Sequence, residues 1–389
     1  MSQFTDLALA PALLERLAAA QFTTPTPVQA ATIPAALGGR NILATAQTGT
    51  GKTLAFLLPV LERLLRQPAA QRTSLAALIL TPTRELAMQI ADQYQQIRPR
   101  SLAAAALLVG GVSERPQLEM LRRGAPLVVA TPGRLEDFLK RKLVSLASVQ
   151  ILVLDEADRM LDIGFLPAIR RILAVLPRDR QTLCFSATLP PEVAKLTREC
   201  MSNPQRIAVG TGDKPAPDIE LRAYEVGDGE KLPLLQSLLG QESGRCLVFA
   251  RTKRGTERLA KTLARGGFSA AMIHGNRSQS QRTKALAGFQ GGQFQVLVAT
   301  DVAARGIHVD DIAHVINFDL PDVADDFVHR VGRTGRAGAR GVATTFINRS
   351  QRNDLLRMEK QLGIRISRLS TGRPPLAPPL AAAAAPASR

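Results

Sequence analysis

The stretch Ala46-Gln47-Thr48-Gly49-Thr50-Gly51-Lys52-Thr53 decides the fold of this chain. It follows a short apolar run at 41–44 and precedes an apolar-periodic segment at 54–65, so it lies where a strand turns into a helix. Its glycines let backbone N–H groups close around an anion at a helix N-terminus, where the helix dipole adds partial positive charge. Lys52 supplies a full charge for nucleotide phosphates, and the Thr53 hydroxyl can bind Mg²⁺. We therefore predict a phosphate-binding loop rather than a tight turn without a ligand.

The charge of the chain is strongly positive. The 389 residues carry 50 Lys and Arg against 33 Asp and Glu, and a division at residue 209 leaves a net charge of +8 before it and +9 after it. A positive charge in both halves favours a polyanion that lies across both, with binding that weakens as salt rises. If the charge is considered alone, the alternative explanation is that the chain is rich in arginine because of its genome composition.

Composition also bounds the compartment and the kind of site. Three cysteines, Cys184, Cys200 and Cys246, show no paired metal-ligand spacing, so we expect reduced core residues in a cytoplasmic protein. The chain begins without a basic leader, and no apolar run approaches the roughly 20 residues of a membrane span, so no membrane partner is expected. Aromatic residues make up only 4% of the chain, so base stacking on exposed rings is not expected to dominate nucleic-acid binding.

Apolar runs of strand length alternate with longer amphipathic segments. The runs are 76–80, 127–130, 151–154, 182–185, 246–250, 296–299, 315–318 and 342–347, and the segments include 85–97, 134–140, 192–200, 255–265 and 352–362. This alternation predicts an α/β architecture of parallel sheets covered on both faces. We interpret residues 210–220 as a linker between domains at 1–209 and 221–369, and the Pro- and Ala-rich residues 370–389 as a disordered tail. No second Gly-Lys-Thr loop follows the linker, so a second domain of the same fold would lack the nucleotide loop.

Four apolar residues, 151–154, lead directly into Asp155-Glu156-Ala157-Asp158. Because ligands of parallel sheets bind at the carboxyl ends of the strands, these acids are expected near the phosphate loop. We expect Asp155 to hold Mg²⁺, directly or through water, and Glu156 to orient and deprotonate the attacking water. An acidic surface turn is the alternative, which the preceding strand disfavours.

These motifs, in this order, resemble the DEAD-box ATP-dependent RNA helicases of superfamily 2, over residues 1–369. The resemblance implies two tandem RecA-like parallel-sheet domains joined by a short linker, ATP and Mg²⁺ as cofactors, and RNA as partner. Residues 22–29, ending in Gln29, resemble the family's adenine-reading segment, and Phe4 matches its isolated upstream aromatic. A Gln amide can pair with an adenine edge while a ring stacks on its face. The other residues expected at the nucleotide are Thr48, Gly49, Thr50, Gly51, Lys52, Thr53, Asp301 and Gly306.

The resemblance also implies contacts with the RNA sugar-phosphate backbone, and hence binding without sequence preference. The residues expected there are Pro82, Thr83, Arg84, Gly110, Gly111, Thr131, Pro132, Gly133, Arg134, Arg251, Thr252, Gln279, Arg282, Thr300 and Arg305. The stretches that hold Gln279 and Arg282 resemble motifs of domain packing as well as of RNA contact. Taken singly, the first-half stretches are more often helix caps or turns.

Two further segments refine the resemblance. Ser186-Ala187-Thr188 resembles the segment that couples ATP hydrolysis to strand separation through contacts with residues 155–158. The motif at 299–307 is followed by His308, where the family usually has an aspartate near the nucleotide ribose. We expect a modest effect on ATP affinity, because one peripheral hydrogen bond is worth about 0.5–1.5 kcal/mol.

The stretch 329–336 carries arginines whose role follows from charge. Hydrolysis spreads negative charge over the γ-phosphoryl group, and arginines brought in by another domain stabilise it. We expect Arg333 and Arg336 to act in this way, and His329 to link this motif to residues 155–158. A solvated basic face is the alternative for the string alone.

The expected mechanism is a clamp in which ATP and RNA draw the second domain across the first and bend one RNA strand. A non-catalytic, ATP-gated RNA clamp and a DNA-directed relative are the alternatives. The brief tail most resembles bacterial RhlE-like helicases. We also expect a monomer, with partner proteins from ribosome assembly or RNA decay.

Overall fold

The computed structural model describes residues 3–46, 49–68, 72–209, 219–227, 229–304, 309, 311–335 and 340–370. Most of the predicted linker, 210–218, and the tail from residue 371 lie outside these ranges. The described residues form two α/β units, each built on a seven-stranded parallel sheet, which confirms the predicted fold class. We call the unit before residue 210 the first lobe and the unit at 219–370 the second lobe.

The first lobe is built on strands β1 to β7. Their bounds are β1 (Ile42–Ala46), β2 (Ala77–Leu80), β3 (Ala106–Leu108), β4 (Leu127–Ala130), β5 (Ile151–Leu154), β6 (Gln181–Ser186) and β7 (Gln205–Val209). They run parallel in the order β3-β4-β2-β5-β6-β1-β7. The carboxyl ends of β1 and β5 therefore lie at the same edge of the sheet with only β6 between them, which brings the phosphate loop and the acids together.

Helices cover both faces of this sheet. They are α1 (Pro11–Ala19), α2 (Pro27–Leu37), α3 (Lys52–Arg66), α4 (Arg84–Ile97), α5 (Arg115–Arg122), α6 (Pro132–Lys140), α7 (Ala157–Asp162), α8 (Leu166–Val175) and α9 (Pro191–Cys200). Successive strand residues enter different cores: Ile42 packs in the core with α1 to α4, and Leu43 in the core with α6 to α9. The strands are apolar at consecutive positions because both faces are buried.

The second lobe repeats this arrangement. Its strands are β8 (Ile219–Glu225), β9 (Arg245–Phe249), β10 (Ala270–Ile273), β11 (Val296–Ala299), β12 (Ile312–Asn317), β13 (Gly341–Ile347) and β14 (Ser367–Leu369), in the order β10-β11-β9-β12-β13-β8-β14. Its helices are α10 (Lys231–Gln241), α11 (Lys253–Arg265), α12 (Gln279–Gln290), α13 (Asp301–Ala304), α14 (Ala324–Val331) and α15 (Arg352–Leu362). The strand order is that of the first lobe, so β8 corresponds to β1 and β12 to β5.

The second lobe does not repeat the phosphate site. Lys231 begins α10 as Lys52 begins α3, and Asp319 follows β12 much as Asp155 follows β5. Here, however, the Lys231 Nζ atom lies 3.4 Å from Asp319 Oδ1 and 5.5 Å from the centre of the Phe318 ring. The Lys231 ammonium group is therefore paired with a carboxylate of its own lobe.

Some elements differ from the predicted bounds. Strand β8 begins at Ile219, inside the span interpreted as a linker, because Ile219 and Glu220 pair with Gly341 and Val342 of β13. The sequence pattern also missed β3, β7, β10 and β14, each of three to five residues. Within the described ranges, no helix is both long enough and apolar enough to cross a membrane.

Candidate nucleotide and nucleic-acid site

The phosphate loop connects β1 to α3, as predicted. Gly49 and Gly51 both have a φ of 89°, a left-handed conformation that glycine adopts without strain. The buried Lys52 Nζ atom donates a hydrogen bond of 2.8 Å to the Ala46 carbonyl at the end of β1. A lysine held inside a glycine loop at a helix N-terminus is well placed to bind phosphate. Thr48 lies outside the described residues.

Residues at the start of α2 hold this loop in place. Gln29 Nε2 donates to the Gly51 carbonyl at 3.0 Å, and the Thr26 hydroxyl donates to the Thr50 carbonyl at 2.7 Å. Gln29 Oε1 accepts the Thr26 N–H at 2.9 Å, so both ends of the amide are engaged within the protein. The structure thus gives Gln29 a supporting role in the loop, and its contact with adenine stays a prediction. Phe4 is buried in the first-lobe core, and its stacking role also stays a prediction.

The two acids after β5 are buried beside the loop. Burial raises the pKa of Asp155 to about 7, while the Lys52 charge acts in the opposite direction. Glu156 has a φ of 52° and a ψ of 53°, a strained conformation for a residue with a side chain, of the kind that clusters at functional sites. Its Oε2 atom is buried and has no hydrogen-bond partner among the described residues. A buried carboxylate oxygen that lacks a partner is suited to accept a proton from a bound water.

Asp158 joins these acids to the segment at 186–188. Its Oδ2 atom accepts hydrogen bonds from the Ala187 N–H at 3.1 Å, the Thr188 N–H at 2.9 Å and the Thr188 hydroxyl at 3.0 Å. The Asp158 N–H in turn donates to Ser186 Oγ at 3.2 Å. The predicted contact between the two segments is therefore present, and it is made by Asp158, the last of the three acids.

The two lobes meet at these same acids. The His329 Nε2 atom of α14 lies 3.7 Å from Asp158 Oδ2. Arg159 Nη1 donates to Asp326 Oδ1, also on α14, at 2.9 Å, and the Arg159 side chain is only 3% exposed. A buried charge that crosses the interface needs its partner, so this pair favours the arrangement in which the lobes contact each other.

Helix α14 presents one face to the first lobe. Asp326 and His329 are three residues apart, the spacing of one helical face, and Arg333 lies in the turn that follows the end of the helix at Val331. Arg333 is 2% exposed and its Nε atom donates to the His329 carbonyl at 3.2 Å. The structure therefore places Arg333 in the interior beside the lobe interface. Arg336 lies outside the described residues.

The residues expected at RNA in the first lobe lie at helix N-termini that follow β2 and β4. Thr83 caps α4 by accepting the Leu86 N–H at 3.3 Å, and Thr131 precedes α6, whose first residue is Pro132. Helix N-termini of this kind bind phosphate oxygens. Pro82, Arg84, Gly133 and Arg134 belong to the same two termini, whereas Gly110 and Gly111 lie in the turn after β3.

Gln279 and Arg282 lie at the lobe interface. Gln279 accepts from Arg84 Nη1 at 3.3 Å and donates to Glu85 Oε1 at 3.1 Å, and Arg282 Nε lies 3.0 Å from the same oxygen. Burial lowers the pKa of Arg282, and the Glu85 charge opposes this effect. These contacts agree with the domain-packing interpretation of the motif, and direct RNA contact by the two residues stays a prediction.

Of the other second-lobe residues predicted to bind RNA or nucleotide, some are exposed and others contact residues inside the lobe. Thr252 caps α11, and Arg251 beside it is 51% exposed in its side chain. Asp301, expected at the nucleotide, has both carboxylate oxygens on Arg330, at 2.5 and 2.7 Å. Thr300 is buried at the end of β11. Arg305, Gly306 and His308 lie outside the described residues.

Three residues of this site were missed by the sequence interpretation. They are Arg159 and Asp326, which join the lobes, and Arg330, which binds Asp301 and donates to the Asp319 carbonyl at 2.7 Å. An arginine directly after the three acids at 155–158 was the one available signal. Its partner is 167 residues away, so spacing alone could not identify the pair.

Comparisons with known proteins agree with this geometry. The model of the DEAD/DEAH box helicase family matches residues 26–196, and that of the helicase conserved C-terminal domain matches residues 230–338. In fold, the chain is similar to S. cerevisiae Dbp5 bound to RNA and ADP BeF3, with a TM-score of 0.86, 32% identity and 96% coverage of each chain.

Curated relatives are more similar in sequence but longer. The chain is 45% identical over 350 residues to DEAD-box ATP-dependent RNA helicase 30 of Arabidopsis thaliana, which covers 89% of this chain and 59% of that protein. It is 47% identical over 350 residues to ATP-dependent RNA helicase RhlB of Xanthomonas oryzae, with 88% and 61% covered. The chain thus spans little more than half the length of these relatives.

Proposed function

Since the chain belongs to the DEAD-box helicase family, we propose that it is an ATP-dependent RNA helicase whose ATP hydrolysis is stimulated by RNA. The observation that carries this proposal is the contact of α14 with the acids after β5, through Arg159–Asp326 at 2.9 Å and Asp158–His329 at 3.7 Å. These contacts bring the arginine-bearing end of α14 to the lobe that holds the phosphate loop. ATP between the lobes would then meet charged groups from both.

On the ATP side, Lys52 and the N–H groups of the glycine loop bind the phosphates, and Gln29 holds the loop in shape. Thr53 and Asp155 offer hard oxygen ligands, which suit Mg²⁺ together with phosphate oxygens and water. The ion, when bound, would neutralise charge on the transferred phosphoryl group. Glu156 orients and deprotonates the attacking water with its unpartnered Oε2 atom.

Arg333 supplies positive charge to the phosphoryl group as it develops negative charge, and Arg336 is proposed for the same role. His329 holds α14 against Asp158, which in turn binds the backbone of residues 187 and 188. A change at the γ-phosphate can therefore move both the 186–188 segment and the second lobe. This linkage provides a physical route from hydrolysis to release of the lobes.

On the RNA side, the N-termini of α4, α6 and α11 and the exposed arginines near them contact the sugar-phosphate backbone. Binding is then independent of sequence and weakens as salt rises. Simultaneous contact of one strand with both lobes requires closure, and closure bends that strand away from its complement. The enzyme would therefore unwind short duplexes or remodel RNA–protein complexes.

Finer assignments complete the proposal. We propose domains at 1–209 and 221–369, with β8 extending the second domain back to Ile219. We further propose a monomer of the cytoplasm, most like the RhlE-like subgroup, although RhlB is among the relatives by name. We also propose partners from ribosome assembly or RNA decay.

The test is an ATPase assay with and without a short RNA duplex, combined with strand displacement on the same duplex. We expect RNA to raise the ATPase rate by about fivefold or more, the lower range of typical coupling between sites. Lys52→Ala should remove the activity in both conditions and serves as the control. Equal rates with and without RNA would end the RNA-coupled proposal, and stimulation without strand displacement would indicate a clamp rather than a helicase.

A further inference from the structure

A continuous groove lies on the first lobe at the edge opposite the phosphate loop. Two pockets, of about 340 and 1010 Å³, share Arg63, Gln150 and Gln181 and so form one channel, which we call the rear groove. Gln150 precedes β5 and Gln181 begins β6, so the groove follows the amino ends of the central strands. The phosphate loop and the acids that follow β5 lie at the carboxyl ends of their strands.

The rear groove is basic. Four of its arginines make no ion pair among the described residues; they are Arg63, Arg178, Arg180 and Arg198. Two of its carboxylates are already paired, Glu62 with Arg66 at 3.2 Å and Glu199 with Arg170 at 2.7 Å. Asp179 is the remaining acid of the lining. The groove therefore keeps an excess of positive charge for an anionic partner.

Its wall also contains buried polar atoms that lack partners. Arg63 Nε and Arg180 Nε are buried donors without an acceptor among the described residues, and Gln67 Oε1 is a buried acceptor without a donor. A buried donor or acceptor without a partner costs free energy, and a bound water, ion or ligand would remove that cost. A ligand that satisfies all three must carry anionic acceptors and at least one donor.

We propose that the rear groove is a docking site for an extended acidic peptide segment of a partner protein. Glu and Asp carboxylates would pair with the arginines, whose planar groups bind carboxylates in two-point fashion, and a peptide N–H would donate to Gln67. RNA fits less well, because no aromatic side chain lines the described part of the groove for bases to stack on. The tail at 371–389 is not the occupant, since it carries two arginines and no Asp or Glu.

The rear groove is separate from the nucleotide site. Helix α3 begins at Lys52 in the phosphate loop and carries Arg63 near its other end, about 16 Å away at 1.5 Å per residue. An acidic peptide in the rear groove therefore leaves the ATP and RNA surfaces free. The partner could bind while the helicase is active.

The experiment measures fluorescence anisotropy of a labelled peptide of alternating Glu and Ser against the full-length protein. A Gln and Ser peptide of the same length is the uncharged control. Because an acidic peptide could also bind the RNA surface, each titration is repeated with saturating unlabelled oligo(U) and a non-hydrolysable ATP analogue. Binding that disappears under these conditions belongs to the RNA surface and overturns the proposal.

The variant Arg63→Ala/Arg180→Ala removes the two buried donors. We expect it to weaken Glu/Ser peptide binding by at least about tenfold, as expected for loss of charge-assisted bonds, with unchanged RNA-stimulated ATPase activity. Arg122→Ala/Arg123→Ala removes the same charge from exposed residues of the first lobe outside the groove and should leave peptide binding within about twofold. Equal losses in the two variants would show a general charge effect and contradict a built site.

Two further variants keep the test decisive if the first variant does not fold or if only charge matters. If the first variant does not fold, Arg178→Ala/Arg198→Ala changes only exposed side chains of the groove and should still weaken peptide binding severalfold. Arg63→Lys/Arg180→Lys keeps the charge but loses the planar donor geometry, and we expect it to recover only part of the affinity. Weakened RNA binding with unchanged peptide binding in these variants would assign the groove to RNA and overturn the proposal.

Discussion

Arg159 Nη1 of the first lobe donates a hydrogen bond to Asp326 Oδ1 of the second lobe at 2.9 Å. The arginine side chain is 3% exposed and the aspartate 20%, so the pair is largely shielded from water. Arg159 directly follows the acids of the ATP site, and Asp326 lies on the helix that carries His329. The pair therefore joins the segment that holds these acids to the second lobe.

Replacement of Arg159 should weaken lobe closure more than ATP binding to the first lobe. For Arg159→Ala we expect RNA-stimulated ATPase activity to fall about 5- to 150-fold, the range of a typical coupling free energy. Arg171→Ala is the matched control, because it breaks an exposed ion pair with Glu136 within the first lobe. A double-mutant cycle with Asp326→Ala should show strong non-additivity. Additive losses would mean that the contact does not serve closure.

Glu156→Gln tests the general base. The amide cannot take a proton, so kcat should fall about 10²- to 10⁴-fold, the usual contribution of general base catalysis. The ATP dissociation constant, measured separately with a fluorescent nucleotide, should change little, because Glu156 Oε2 has no hydrogen-bond partner to lose among the described residues. Retained turnover would remove Glu156 from this role.

Gly51→Ala tests how the loop is held by α2. A Cβ atom at Gly51 would lie 2.4 Å from Gln29 Nε2, and the backbone has a φ of 89°. Gly39 has a similar φ of 79° with no atom within 4 Å of the added carbon, so Gly39→Ala carries the same backbone strain without the contact. We expect only Gly51→Ala to weaken ATP binding, by tenfold or more. Similar affinities in the two variants would argue against the Gln29 contact.

Thr188→Val removes one of three hydrogen bonds to Asp158 Oδ2. Leaving a buried charged acceptor short of one donor costs about 1–3 kcal/mol, and we expect strand displacement per ATP hydrolysed to fall. Thr182→Val is the control, because the buried Thr182 hydroxyl has no hydrogen-bond partner among the described residues. Equal effects of the two changes on strand displacement per ATP would contradict a coupling role for Thr188.

The stability of the second lobe should depend on His314. Burial lowers the pKa of His314 to about 4, with Arg222 acting in the same direction and Glu220 against it. The ordinary value is near 6.5, so the unfolded chain takes up the proton first and the free energy of unfolding falls as pH drops from about 6.5 towards 4. Between pH 7 and pH 5 the loss should be about 2 kcal/mol by linkage. Urea unfolding of the wild type and of His314→Gln, measured at several pH values, would test this. If the free energy of unfolding of the variant changed with pH as much as that of the wild type, the role of His314 would be contradicted.

Much of the fold could be predicted because the strands are buried on both faces. Residues 127–130, 151–154 and 296–299 have the same bounds in sequence and structure, since continuous apolar runs have few other uses at that length. Strand β8 was missed because it reads Ile-Glu-Leu-Arg-Ala-Tyr-Glu, an alternating pattern next to a linker. The three residues of β14 form an edge strand that pairs with β8, so their own sequence carries little signal of a strand.

The site was predictable in parts. Lys52 and Glu156 each lie in a short motif that follows a strand. Their positions depend on local geometry, so the motif alone was enough to predict where they lie. Contacts between lobes depend on the arrangement of two separate folds, which no local pattern contains. For this reason Asp326 was missed, and the contact of both Asp301 oxygens with Arg330 was not foreseen. The contact of Asp301 with the nucleotide stays a prediction.

The central claim is that one nucleotide is shared by the two lobes, with phosphates held by the first and arginine supplied by the second. A crystal structure with a non-hydrolysable ATP analogue and oligo(U) tests it most directly. We predict that the Arg333 guanidinium will lie within hydrogen-bonding distance of the γ-phosphate while Lys52 contacts the same phosphate chain. An Arg333 side chain that faces solvent, or a nucleotide that contacts the first lobe alone in the presence of RNA, would contradict the account.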